Sequence, residues 1–273
     1  MASNAPQTGF APVNGLRMYY EIHGEREGTQ SPLVVLHGAF MTIELLGPLV
    51  PGLAQNRQVI AVEMQGHGHT ADVGRPLTYE QLADDTAALL RHLGIGAADV
   101  YGYSLGGGAA LQFALRHPAL LRKLVLVSAS YTSAGIYPEV LAGIEHITPE
   151  LFAATPWRAA YDRTAPHPDA FPALVVKMKQ LDMTPFEWPA GAVRAIPAPT
   201  LIVAGDSDGT RPEHAVEMFR LRGGGGVFGD VAGLPAAQLA ILPGTTHAGI
   251  LDRTDWLVPM VTAFLDAPPP QPR

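Results

Sequence analysis

One serine, one histidine and a pair of aspartates stand in this sequence where a nucleophile, a proton acceptor and an orienting acid would be needed. Ser104 is the centre of Gly102-Tyr103-Ser104-Leu105-Gly106, which follows an apolar run at 99–103 and precedes a helical pattern at 105–116. A sharp strand-to-helix turn lifts a serine hydroxyl clear of a sheet, and crowding at the flanks of that turn calls for glycine on both sides. The helix start places free N–H groups and its positive end where negative charge would develop. A serine hydroxyl is a weak nucleophile near neutral pH, so a base must lie within hydrogen-bond reach and an acid must orient that base.

The chain offers both in later loops. The apolar run 200–204 leads into Gly205-Asp206-Ser207-Asp208, and the run 238–242 leads into Pro243-Gly244-Thr245-Thr246-His247. Loops at the carboxyl ends of parallel strands are where ligands bind in open sheets. Ten histidines compete for the base. His247 alone follows the last strand, whereas His117 precedes Pro118 at a helix end and His67 and His69 flank a glycine turn. Asp208 has the longer reach into the loop and is the expected acid; Asp206 is the alternative, equally suited to bonding its own turn. An oxyanion hole needs two backbone N–H groups, expected from Leu105 and from Ala39 in the loop His37-Gly38-Ala39-Phe40. His37 itself reads as a brace for that loop.

Other chemistries find little support. With no cysteine, disulfides, thiolate metal sites and a thiol nucleophile are excluded. Gly66-His67-Gly68-His69 has few carboxylates nearby and reads as a turn rather than a metal pair. GxGxxG spacing is missing, and no phosphate-binding lysine follows the glycines at 102–108. No metal and no organic cofactor is expected. The formal charge of −7 disfavours a nucleic-acid partner. No stretch reaches the roughly 18 consecutive apolar residues of a membrane helix, and the polar start lacks the pattern of a secretory signal, so a cytoplasmic protein is the expectation.

The elements that would hold these residues alternate. Runs at 33–36, 58–62, 99–103, 123–129, 200–204 and 238–242 are apolar and β-branched, the signature of strands covered on both faces. Helical patterns lie at 79–93, 105–116, 211–221 and 254–265. Together they predict an α/β fold with a mostly parallel central sheet flanked by helices. A hairpin at 9–23 turns at Asn14-Gly15. Residues 131–199 carry ten prolines and no clear strand; a structureless loop of that length is improbable in a compact domain, so a small helical lid is expected there. The organisation is then a core of 1–130 and 200–266, a lid of 131–199 and a disordered proline-rich tail of 267–273. Trp157, Phe171, Met178, Met183, Phe186 and Trp188 of the lid, with Phe40 and Tyr103 of the core, are candidates for an apolar substrate pocket.

On His37-Gly38, Gly66-His67-Gly68, Gly102–Gly106, Gly205–Asp208 and Gly244–His247 the chain resembles the α/β-hydrolase family, in particular its small esterase, lactonase and cofactor-free haloperoxidase-like members. The likeness runs from the hairpin to the helix ending near Leu265. It implies the α/β-hydrolase fold and hydrolysis of a small-molecule carboxylic ester or lactone through an acyl-enzyme on Ser104, Asp208 and His247; the family acid falls at Gly-x-x-Asp, which is Asp208 here. One departure is plain. The family's usual Asp-x-Arg-Gly-x-Gly-x-Ser is replaced by Glu63-Met64-Gln65-Gly66-His67-Gly68-His69-Thr70. Two alternatives stay open: C–C, amide or perhydrolase chemistry on the same residues, and a non-catalytic ligand-binding protein of the same fold.

Overall fold

The structure is a computed structural model that describes residues 5–25, 30–226 and 228–268. Eight strands form one sheet in the order β1-β2-β4-β3-β5-β6-β7-β8. β1 (Gln7–Val13) and β2 (Leu16–His23) are the hairpin, joined by Asn14 and Gly15 at φ 46° and 84°. Two positive φ angles in a two-residue turn match the right-handed twist of the flanking strands. β2 runs antiparallel to β4 (Val59–Val62). From β4 onward, β3 (Leu33–Leu36), β5 (Ala98–Tyr103), β6 (Leu121–Val127), β7 (Thr200–Ser207) and β8 (Ala237–Thr246) are all parallel.

Alternation along the strands divides the core in two. Val34 and Leu36 face a cluster shared with α2 (Tyr79–His92) and α3 (Leu105–Arg116). Leu33 and Val35 face the opposite cluster, shared with α1 (Leu49–Leu53) and with the helix at Thr254–Asp266. α2 begins where the Thr78 side chain accepts the Gln81 N–H at 3.1 Å, an N-cap that satisfies one orphan donor. Chain order sends β4 to one side of β3 and β5 to the other, so the carboxyl ends of β3 and β5 open a crevice at a topological switch point.

Between β6 and β7 the chain forms four short helices: α4 (Pro138–Ile144), α5 (Pro156–Thr164), α6 (Phe171–Met183) and α7 (Ala190–Ala195). Proline occupies the first turn of α4, α5 and α6, where its missing N–H costs nothing. The segment's many prolines thus start helices rather than break them. Two isolated bridges, Thr132 with Glu187 and Ile136 with Thr210, tie its ends to each other and to the loop after β7. After β7 come α8 (Pro212–Leu221) and α9 (Gly229–Ala232), and α10 (Thr254–Asp266) closes the described chain. The glycine-rich stretch after α8 holds the short α9, and of the expected tail 267–273 the residues from 269 onward lie outside the described residues. No helix among the described residues is long and apolar enough to cross a membrane.

Candidate active site

β5 ends at Tyr103 and α3 begins at Leu105, leaving Ser104 alone at the turn with φ 54° and ψ −117°. A non-glycine residue in that region is strained and persists only when its surroundings over-determine it. They do here. The Ser104 N–H donates to Val127 O at 3.0 Å, and its carbonyl accepts from Gly107 and Gly108 N–H at 2.8 and 3.1 Å. The glycines are dictated by contact. A Cβ on Gly102 would lie 2.2 Å from Gly106 O, and one on Gly106 would lie 2.3 Å from Leu36 O.

Ser104 Oγ lies 2.9 Å from His247 Nε2, and His247 Nδ1 lies 2.7 Å from Asp208 Oδ1. An ionised carboxylate only accepts, so Nδ1–H donates to Asp208 and the Nε2 lone pair faces the serine hydroxyl. Asp208 also accepts from the Ser128 hydroxyl, from Gly205 N–H at 3.3 Å and from Thr210 N–H at 3.1 Å. Burial alone would push its carboxyl up, but the hydrogen bond and charge of His247, with Ser128 and Thr210, outweigh burial and hold it below the usual range. Asp206 is elsewhere. Exposed to solvent, it accepts from Gly244 N–H at 2.9 Å and Thr245 N–H at 3.1 Å, joining the ends of β7 and β8. Those two bonds lower its pKa. Of the two aspartates it is thus Asp208 that the fold brings to the histidine.

The N–H groups of Ala39 and Leu105 donate to no protein acceptor among the described residues, and both residues line the cavity in front of Ser104. The loop carrying Ala39 is fixed from behind. His37 Nδ1–H donates to Gly38 O at 2.7 Å while its Nε2 accepts Met64 N–H at 3.1 Å. Burial, aided by the neighbouring His67, pushes the His37 pKa down to about 3, so the ring stays neutral and keeps that acceptor. His67 and His69 point to different partners: His67 Nδ1 to Gln65 O at 3.0 Å, His69 Nδ1 to Glu63 Oε2 at 2.9 Å. Among the described residues no cluster of three or more His, Asp or Glu is disposed to hold a metal ion. The departure from the family pattern is absorbed locally. Glu63 accepts the N–H groups of Ile43 and His69, and Gln65 bridges Asp72 and Arg75.

A cavity of about 440 Å³ opens over Ser104 and His247, walled by Ile136, Val140, Leu141 and Ile144 from the start of the insertion and by Tyr79 of α2. Of the aromatic candidates only Phe186 lines it. Phe40, at φ 63°, turns away to stack on Phe152 and Phe171. Tyr103 lies beneath the site, donating its hydroxyl to His247 O at 2.9 Å and packing on the histidine ring. Trp188 is buried behind Tyr79 and Phe186, and Trp157 packs against the core cluster on the far face of the sheet. Phe171 and Met178 are buried inside the insertion, and Met183 is exposed. Large aromatics here do the packing that holds the insertion in place, while medium aliphatic residues shape the cavity. Sequence reasoning missed Tyr79, Asp182 and the residues 136–144. The run Ile136, Val140, Leu141, Ile144 has helical i, i+4, i+5, i+8 spacing, a signal that could have found them.

A sequence profile described as the alpha/beta hydrolase family matches residues 33–260. The dihydrolipoyllysine-residue acetyltransferase component of the acetoin cleaving system of Pseudomonas putida is 32% identical over 211 residues, 77% of this chain and 53% of that protein. The poly(3-hydroxyalkanoate) depolymerase of Ectopseudomonas oleovorans is 27% identical over 256 residues, 86% of this chain and 84% of that one. The chain spans 53% and 39% of the first two curated relatives it matches. Among solved structures, a meta-cleavage product hydrolase from Pseudomonas fluorescens IP01 superposes with a TM-score of 0.76 at 20% identity, over 95% of this chain and 97% of that one. The enol-lactonase from Burkholderia xenovorans LB400 superposes with a TM-score of 0.71 at 22% identity, over 94% and 100%. Such identities speak for the fold alone. The profile, spanning the strands from β3 to β8 and the serine turn between β5 and α3, makes this chain a member of the alpha/beta hydrolase family.

Proposed function

We propose that the protein hydrolyses a carboxylic ester or lactone through an acyl-enzyme on Ser104. The observation that carries the reading is the unbroken chain from Ser104 Oγ to His247 to Asp208, at 2.9 and 2.7 Å, facing two unspent backbone N–H groups. Ser104 Oγ attacks the acyl carbon while His247 Nε2 takes its proton. Asp208 holds the Nδ1–H tautomer and stabilises the imidazolium that forms. The Ala39 and Leu105 N–H groups receive the tetrahedral oxyanion. Collapse breaks the acyl–oxygen bond, and His247 returns the proton to the leaving alkoxide; in a lactone the alkoxide stays tethered. Water then attacks the acyl-enzyme with His247 again as base, releasing the acid and restoring Ser104. The reaction balances with no other reagent.

The relative named poly(3-hydroxyalkanoate) depolymerase points the same way. The purified protein assayed on matched panels of short esters, lactones, amides and vinylogous 1,5-diketones tests the proposal. Turnover of esters or lactones at least ten times that of amides and diketones is expected; a protein that cleaves only the diketones carries C–C chemistry on the same residues.

A further inference from the structure

Asp182, the penultimate residue of α6, lines the same cavity as Ser104 and His247. Asp182 is half-buried, and every acid among the described residues that is buried more deeply is engaged. Asp85 accepts from Asn14, Arg75 and Gln81; Asp99 pairs with Arg122 and Arg57; Glu63 holds Ile43 and His69; Asp208 has four partners. Asp182 forms no hydrogen bond or ion pair among the described residues. Its position at the carboxyl end of a helix, beside Tyr79 and Phe186, gives the charge no help. Burial pushes its carboxyl up to about 7, with the charge of His247 alone working the other way. The titratable groups that face it are His247, from the loop after β8, and Tyr79 of α2, whose own ionisation the Asp182 charge opposes.

We propose that Asp182 is a specificity-determining residue, accepting a hydrogen bond from a hydroxyl or ammonium group on the substrate. A polar group left unpaired in an apolar wall is costly unless the ligand brings its partner. Above about pH 7, where Asp182 is ionised, it can only accept, so esters, ketones and hydrocarbon offer it nothing. A substrate donor within the cavity turns that cost into selectivity. Among the described residues no lysine or arginine lines the cavity, so a carboxylate-bearing substrate meets a like charge with no counter-ion there. The inference rests on the ester or lactone reading for its substrates, and it names the class within them: hydroxyacyl or aminoacyl esters rather than plain acyl ones.

Two measurements on the wild type, Asp182→Asn and Asp182→Leu test it. The first is kcat/KM at pH 8 on methyl 3-hydroxybutanoate, methyl 3-aminobutanoate and their near-isostere methyl 3-methylbutanoate. Wild type should favour the two donor-bearing esters by about ten-fold, the worth of a buried hydrogen bond to a charged group. Asp182→Leu should reverse that order, and Asp182→Asn should keep selection for the hydroxyl while losing it for the ammonium. The second is ligand-observed NMR binding of 4-hydroxypentan-2-one against 4-methylpentan-2-one, which needs no turnover. The hydroxyketone should win in wild type and lose in Asp182→Leu. Equal selectivity in wild type and Asp182→Leu by either measurement overturns the assignment. Ketone selectivity without hydrolysis of any ester would uphold Asp182 and sink the ester reading instead.

Discussion

The serine turn and the helical insertion facing it across the cavity are built in opposite ways. At the turn almost every polar atom is spent: Ser104 N and O, both His37 nitrogens and both Asp208 oxygens have named partners. Glycines there touch backbone, with no room for a methyl group. The insertion is held mainly by apolar contact, with Lys177, bonded to Asp72, Val73 O and Arg75 O, as its chief polar tie to the core. It rests on Phe171, Leu174, Val175 and Met178 beneath, leaves Leu151, Val176 and Met183 exposed, and shows the cavity aliphatic side chains. A hydrogen-bonded network fixes reacting atoms to within tenths of an ångström, as the chemistry requires. Packing of interchangeable aliphatic groups tolerates substitution. The proposed chemistry thus belongs to the rigid part, and substrate choice belongs to the part that can change at little cost. Asp182 is the exception, a polar group of the insertion with its partner still to come.

The comparison breaks most severely at the nucleophile. Ser104→Ala should lower kcat by about 10⁴ to 10⁶ in a chromogenic ester assay, because no neighbouring group can form the covalent intermediate. Next come the two aspartates. Asp208→Asn should cost about 10⁴ in kcat, since an amide neither stabilises the imidazolium nor enforces the tautomer. Asp206→Asn, which touches only Gly244, Thr245 and Ser207, should stay within about ten-fold of wild type by the same assay. A reversed ranking would move the acid to Asp206.

How legible each region was follows from the same contrast. The six parallel-sheet runs, the hairpin turn at Asn14-Gly15 and the Gly102–Gly106 turn are local signals, because strand burial and positive φ restrict residue type at the position itself. Asp208 could be preferred over Asp206 because reach along a loop is also local. The cavity wall was not legible. Phe40 and Tyr103 sit beside site residues in sequence and Trp157 and Trp188 lie in the insertion, yet a large ring buries more area as core than as wall. Whether it does so depends on how the four insertion helices dock, a long-range outcome. Asp182 was missed because one acid near a helix end looks solvated until the fold places it in the cavity.

Smaller effects sharpen the contrast. Gly106→Ala drives a Cβ to 2.3 Å from Leu36 O and should destabilise by about 2–4 kcal/mol in urea unfolding. Gly143→Ala, inside α4 with nothing within 4 Å of the added Cβ, should instead stabilise by up to about 1 kcal/mol. Equal losses at both sites would mean the insertion is as tightly built as the turn. The response to pH is a further test. The Asp182 carboxyl titrates near 7 in the folded protein against about 4 in an unfolded chain. Its favourable contribution is therefore complete below about pH 4 and is lost as pH rises through about 7. Thermal melts should show Asp182→Asn gaining a few degrees over wild type at pH 8 and about nothing near pH 4; a gap that does not change with pH would put Asp182 in water.

The central claim is that the strained serine between β5 and α3 is the one nucleophile. Treating the protein with a fluorophosphonate and mapping the adduct by peptide mass spectrometry tests it directly. A single adduct on the peptide bearing Ser104, absent from Ser104→Ala and slowed in Asp208→Asn, is the result the geometry predicts. Labelling at another serine, or undiminished labelling of Ser104→Ala, would contradict it.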